Sequence, residues 1–166
     1  MEPLEIKKYP DSVLRKKCIL VERITETEVR LFEEMLFTMR HFAGIGLAAP
    51  QIGITRNMVV ADIGEGPIML ANPKILNSRG AEKMEEGCLS IPGVEVIVER
   101  ADEIIISGLN EKDESIKLKA QGLLARVLQH EIDHLNGKLI IDYLNILEKF
   151  KLRLHTRRRI EQHANL

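Results

Sequence analysis

Tryptophan is absent from this 166-residue chain, and aromatic residues make up only 4% of it. So few rings exclude an aromatic platform on which nucleic-acid bases would stack. Cysteine is nearly as scarce. Cys18 and Cys88 stand alone, too few for a disulfide framework, which fits a cytoplasmic compartment and leaves each thiol free for packing or chemistry. Charge of one sign is missing too: 24 Lys and Arg oppose 25 Asp and Glu, a formal −1. Nothing draws the whole chain to DNA or to a membrane, although a local patch stays open. No apolar run approaches the ~18 residues of a membrane span, and the opening MEPLEIKKYPDSVLRKK lacks the apolar core of a signal peptide. Repeats, low-complexity stretches and Pro/Gly/Ser linkers are also lacking. One domain over residues 1–166 is expected, hydrophobic at 45% and charged at 30%, able to bury about two-thirds of its unfolded surface.

Periodicity sets the elements. Residues 25–42 read as a helix: Thr25 and Glu28 have capping-box spacing, and Phe32, Met35, Leu36 and Met39 share one face. Gly44 is expected to end it. The text GIGLAAPQIG over 44–53 reads as a loop, with Pro50 blocking a helix. Five short β-like runs follow between 57 and 120: MVVADI, IMLANP, VEVIVE, EIIISG and SIKLKA, separated by turn-rich text. No helix lies between them, so antiparallel or mixed sheet is expected rather than βαβ units. A second helix fits residues 123–136 with Gly137 past its end, then a strand in KLIIDY and a basic helical tail over about 145–166. The expected class is α+β: antiparallel or mixed β-sheets around a central helix, with N- and C-terminal helices.

Three segments carry chemistry. In His130-Glu131-Ile132-Asp133-His134 the two imidazoles lie four apart on one helix face and can reach one metal ion. Glu131 is placed to act as general base on a metal-activated water, the logic of H-E-x-x-H. Asp133 is either an acceptor for a ligand histidine or an exposed acid, and the exposed reading is preferred. The bland alternative is an amphipathic helix whose stripe of Leu123, Val127, His130 and His134 merely ends in histidines, but buried imidazoles need partners or a metal. The third ligand is open. A metzincin would carry a third His where Ile140 stands, and a thermolysin-like Glu would have to be Glu148 or Glu161, neither with a supporting motif. In Glu86-Gly87-Cys88-Leu89-Ser90, Cys88 is a metal ligand completing Cys-His₂, a buried small hydrophobe, or a nucleophile paired with His. Cys18, in KKCIL, reads as packing only. In GIGLAAPQ, glycines permit close backbone approach and the Gln51 amide suits a developing oxyanion.

Taken in order, GIGLAAPQ, EGCLS and HEIDH resemble the peptide deformylase family, whose motifs they match without substitution. YPDSVLR, Asn72-Pro73 and GLLARVLQHEIDHLNGKL extend the likeness over residues 9–142. The resemblance implies hydrolysis of the formyl group from the N-terminal formylmethionine of newly made proteins, to formate and a free amine. It implies that Cys88, His130 and His134 hold one ion per chain, and that Glu131 moves the proton. It implies an oxyanion held by Gln51 and the backbone N–H of Leu89. Glu86 takes the place of the family's acid beside the metal loop and is grouped with the substrate-binding set. An extended peptide would pair near Ile45, Gly46 and Leu89, with Ile45, Leu123 and Val127 around the methionine side chain. The resemblance implies Fe²⁺, with Zn²⁺, Ni²⁺ or Co²⁺ as alternatives suited to the same donors. Glu95 departs from the Arg that many relatives carry there, so a preference for basic downstream residues is expected if it faces the peptide. The basic stretch over 148–159 reads as a ribosome-docking helix or as a solvated helix packed through Leu147, Phe150, Leu154 and Ile160. A zincin endopeptidase is disfavoured by Ile140 and EGCLS. A non-catalytic ribosome-associated module is disfavoured because Gln51, Cys88, His130, Glu131 and His134 are all intact.

Overall fold

The computed structural model describes residues 1–149. The expected basic tail, with the arginines at 157–159, falls outside the described residues except at its start. Seven strands and two α-helices lie wholly within the described residues: α1 Glu26–His41, β1 Gly46–Ala48, β2 Met58–Ala61, β3 Ile68–Arg79, β4 Glu82–Glu86, β5 Val96–Arg100, β6 Glu103–Leu109, β7 Ser115–Gln121 and α2 Gly122–Leu135. The order β1-β2-β3-β6-β7 forms a five-stranded sheet, and β4-β5 forms a separate ribbon. Every strand pair is antiparallel, as the absence of intervening helices requires.

Strand β2 shows how the layers form. Its residues alternate between two cores, as a pleated strand must. Met58 and Val60 pack with Leu31, Phe32, Met35 and Met39 of α1. Val59 and Ala61 face the other way, with Leu70, Ile104, Ile106, and Ala125, Val127 and Leu128 of α2. The helices therefore cover opposite faces of the sheet, and α2 lies buried along it. A third cluster joins Val96 and Val98 of β5 to Leu14, Ile91, Leu139, Ile140 and Ile141.

Four local expectations differ. Helix α1 ends at His41, and the left-handed residue past its end is Ala43 (φ 54°), one before the expected glycine. Gly44 serves space instead, since a Cβ there would lie 2.9 Å from Leu89 Cδ1. The loop text GIGLAAPQ contains β1 and a 3-10 turn, Ala49–Ile52; small residues hid a strand too short to show alternation. Strand β4 reads as a charged turn because all but Glu86 are exposed, so it carries no apolar rhythm. The expected strand KLIIDY is a 3-10 turn over Ile140–Tyr143. Its backbone is held by Asp142, which accepts from the Leu139 N–H at 2.8 Å and pairs with Arg15. Strand β3 passes through Pro73 by a register shift between Ala71 and Lys74, where the missing N–H needs no partner.

The N-terminus of α1 is closed as its sequence indicates. Thr25 N–H donates to Glu28 at 3.0 Å, and Arg56 pairs with the same carboxylate. The Thr25 hydroxyl, more than Arg56, holds the Glu28 carboxyl below its usual range. Glu28→Ala should cost about 1–2 kcal/mol in urea unfolding at neutral pH. A carboxyl with a lowered folded-state pKa stabilises fully above its unfolded value of about 4.5 and loses that contribution as pH falls through the lowered value. The gap between variant and wild type should therefore close in acid, and a gap independent of pH would reject the assignment.

Candidate metal centre and its cavity

Helix α2 turns His130 and His134 toward β1 and toward the EGCLS loop that follows β4. The 3.6-residue period brings the rings together one turn apart, edge to face at 66°, with Nε2 atoms 3.2 Å apart. Cys88 Sγ reaches His134 Nε2 at 3.3 Å, and the donor atoms of Cys88, His130 and His134 all lie within 4.8 Å of one another. The set fits a cation. Two imidazole nitrogens and a sulfur converge with lone pairs facing inward, the Cys-His₂ pattern that leaves one tetrahedral position open. Burial keeps the His134 ring well below the usual histidine range, so it is neutral, and its Nδ1 is sealed without a partner. That leaves Nε2 as the atom able to repay burial of the ring.

His130 is oriented from behind. Its Nδ1 meets Glu86 Oε2 at 2.9 Å, the arrangement that fixes a ligand histidine's tautomer and basicity. Glu86 in turn receives both arms of Arg100, Nε and Nη2, each at 2.9 Å. Arg126 of α2 donates to Glu86 at 2.9 Å and to the carbonyls of Val98 at 2.9 Å and Glu82 at 2.7 Å, fastening the β4-β5 ribbon to the helix. Burial alone would raise the Glu86 carboxyl, but Arg100 and then His130 outweigh it and hold it at about 2. Both Glu86 oxygens are thus consumed by the protein. Glu86 borders the cavity, with its carboxylate engaged by Arg100, Arg126 and His130. Asp133 is corrected. It is not an exposed acid but accepts from Arg100 Nη1 and from the Tyr143 hydroxyl, each at 2.7 Å.

Glu131 and Gln51 flank the three donors. Glu131 is 3% exposed, its Oε2 has no partner among the described residues, and burial pushes its carboxyl up to about 7. A Cβ on Gly46 would fall 2.3 Å from Glu131 Oε1 and 2.7 Å from Val127 Cγ1, so only glycine lets β1 pass this close. Gln51 Oε1 accepts from the Ala48 N–H at 2.7 Å. That bond decides which end of the amide is which and turns Nε2 toward Cys88 Sγ, 3.6 Å away.

These groups open on a cavity of about 400 Å³. Ile45, Gly46, Leu89, Leu123 and Val127, all named from the sequence, line it, joined by Met84. Ile45 and Leu123 are largely exposed, whereas Val127 is buried. Glu95 is exposed and is not part of the lining, because its neighbour Val96 turns into the core and alternation sends Glu95 outward. Cys18 is buried in the α2-side core, and burial pushes its thiol up to about 11, in keeping with a packing role. Sequence reasoning missed Arg100, Arg126 and Tyr143. Arg126 follows Ala125 in the apolar run GLLARV, where an isolated charge was an available signal, whereas Arg100 follows Glu99 at the end of VIVER and offered none.

A sequence model of the polypeptide deformylase family matches residues 3–150. A peptide deformylase of Clostridium botulinum is 51% identical over 137 residues, 82% of this chain and 93% of that protein. The crystal structure of a peptide deformylase from Legionella pneumophila superposes with a TM-score of 0.90 at 38% identity, covering 99% of each chain. One from Synechococcus elongatus, in complex with actinonin, gives 0.85 at 44% identity over 89% of this chain and 82% of that one.

Glu86→Gln should weaken metal binding by about 10–100-fold, read by Co²⁺ absorption against a competing chelator. Arg100→Met should cost about 3–5 kcal/mol in urea, since Glu86 and Asp133 both lose the guanidinium they share inside the fold. Unchanged Co²⁺ affinity in Glu86→Gln would show that His130 is oriented by something else.

Proposed function

The chain belongs to the polypeptide deformylase family, and on that premise we propose how its own residues carry the reaction. It removes the formyl group from the N-terminal formylmethionine of newly synthesised proteins, leaving formate and a free amino terminus. One observation carries the assignment of roles: Cys88 and His130, clustered with His134, line one cavity together with Glu131, whose Oε2 has no partner among the described residues, and the directed amide of Gln51.

Cys88, His130 and His134 would hold the metal. When bound, it supplies Lewis acidity and brings the pKa of water from 15.7 to about 7. Glu131 takes the proton of the attacking water as its oxygen closes on the formyl carbon, and returns that proton to the leaving amine as the C–N bond breaks. The raised affinity of its buried carboxyl for a proton suits both transfers. Gln51 Nε2–H and the Leu89 backbone N–H meet the formyl oxygen as its charge grows, where fixed donors stabilise the transition state most. Among the described residues no protein acceptor takes the Leu89 N–H, which supports that use. Ile45, Leu123 and Val127, with Met84, enclose the methionine side chain. Ile45 and Gly46 present backbone to an extended peptide, a mode tolerant of downstream sequence.

Fe²⁺ is the proposed ion, with Zn²⁺, Ni²⁺ or Co²⁺ able to occupy the same donors. A thiolate beside ferrous iron would be oxygen-sensitive. A formylated nascent chain as substrate supports work in the cytoplasm, and the family match over residues 3–150 supports reading the chain as one catalytic unit. The basic stretch beyond it is proposed to meet ribosomal RNA phosphates. Unchanged co-sedimentation with ribosomes after Arg157, Arg158 and Arg159 are replaced by Ala would reject that contact.

Formate release from formyl-Met-Ala-Ser by protein purified without oxygen is the direct test. Chelation should abolish release and Fe²⁺ should restore it, with slow loss in air. A Zn²⁺ form equally fast would remove the case for iron. Glu131→Ala should abolish turnover, and Gln51→Ala should lower kcat by about 10²–10³. Gly46→Ala should cost on the order of 10², through displaced Glu131. Full activity in Glu131→Ala would overturn the assignment of the base.

A further inference from the structure

The two donors proposed for the oxyanion sit on separate loops. Gln51 lies in the 3-10 turn after β1, and Leu89 lies in the turn after β4. No strand pairing joins these loops, because β1 belongs to the five-stranded sheet and β4 to the two-stranded ribbon. Their relative position must therefore come from elsewhere.

It comes from a segment without regular secondary structure near the start of the chain. Lys7 N–H donates to the Gln51 carbonyl at 2.7 Å, and Tyr9 N–H donates to the Ser90 carbonyl at 2.9 Å. Between them, Lys8 Nζ donates to the Leu89 carbonyl at 2.5 Å. Three successive residues thus bond to the turn carrying one donor and to the turn carrying the other. The segment is itself anchored: Ile6 is buried in the α1-side core with Ile52, and Leu4 N–H donates to Thr38 Oγ1 at 2.9 Å. Lys7 also covers Gly53, its Cε 3.2 Å from where a Cβ would stand. None of these residues lines the cavity, so any effect on the reaction passes through the loops.

We propose that residues 7–9 are a strap that sets the spacing of the oxyanion donors, and that Lys8 is a positioning residue for the Leu89 turn. The inference rests on Gln51 and Leu89 being those donors. A charged donor on the Leu89 carbonyl fixes the peptide unit that follows the donating N–H, and so limits the rotation that would turn it away. Donors aimed before the reaction cost no reorganisation during it, and an offset of about 1 Å is enough to lose much of their effect.

The test compares Lys8→Met, Lys8→Arg and Gln51→Ala in the Fe²⁺-loaded full chain, measuring kcat and KM for formyl-Met-Ala-Ser and thermal unfolding. Lys8→Met should lower kcat about 3–10-fold, less than deletion of a donor, with KM within about twofold because ground-state binding is untouched. Lys8→Arg should restore most of the loss, since a guanidinium also reaches the carbonyl. Co²⁺ absorption should be the same in Lys8→Met and Lys8→Arg as in the wild type, as Lys8 touches none of the metal donors. An unchanged kcat in Lys8→Met, beside a large loss in Gln51→Ala, overturns the strap and leaves the oxyanion assignment standing. An unchanged kcat in Gln51→Ala overturns both. A loss in Lys8→Met that follows a lowered unfolding temperature and is not rescued by arginine shows a merely structural contact and also overturns the strap.

Discussion

The carboxylate of Glu86 is the point on which the site depends. It accepts from Arg100, Arg126 and His130 at once, all at 2.9 Å, and so joins the β4-β5 ribbon, helix α2 and a metal ligand in one place. Buried ion pairs seldom add much net stability, because desolvation offsets the attraction. What they add here is geometry. Among the described residues no strand of the ribbon pairs with the main sheet, and without the Glu86 cluster little would set the height of Cys88 over the two histidines. Asp133 and Tyr143 extend the cluster to the turn after α2, so three chain segments agree on where Arg100 lies.

Around that point, function and packing make opposite demands on the same residues. Packing favours closing the gap between β1 and α2, and Gly46 closes it until no side chain fits against Glu131. Chemistry needs a carboxylate there with an oxygen left free, which burial makes costly. The cost appears as the raised proton affinity of Glu131 and as its unpartnered Oε2. It is borne by the surrounding core: β2 has all four residues buried and serves both helices. A well-packed sheet between α1 and α2 can hold a strained polar group that a looser scaffold would release.

Much of this was readable from residues in order. The capping spacing of Thr25 and Glu28 and the period of Phe32, Met35 and Met39 placed α1. The i, i+4 spacing of His130 and His134 placed two donors on one face, and the match of three motifs to a known family supplied Cys88, Gln51 and Leu89. Strand β4 was not readable, because a two-stranded ribbon exposed on most of its residues carries no alternation. Ile140 and Ile141 were misread as strand because an apolar pair looks the same in an extended chain and in a 3-10 turn when both are buried. Asp133 was misread because an acid on a helix looks exposed until the arginine that meets it is known.

The sequence by itself determined the chemistry: which side chains can bind a soft metal, which can move a proton, and the local periods that bring His130 and His134 together. Such facts rest on residue type and on helical geometry within a few positions, so they survive without knowledge of the fold. Only the tertiary structure decided the partners that stand far apart in the chain. Examples are Arg100 on Glu86 and Asp133, Arg126 on Glu86, and residues 7–9 bridging the Gln51 and Leu89 turns. The physical reason is that a hydrogen bond or ion pair depends on distance in space. Separations of 33 to 81 residues, such as Arg100 to Asp133 or Lys8 to Leu89, leave no periodic trace in a single sequence.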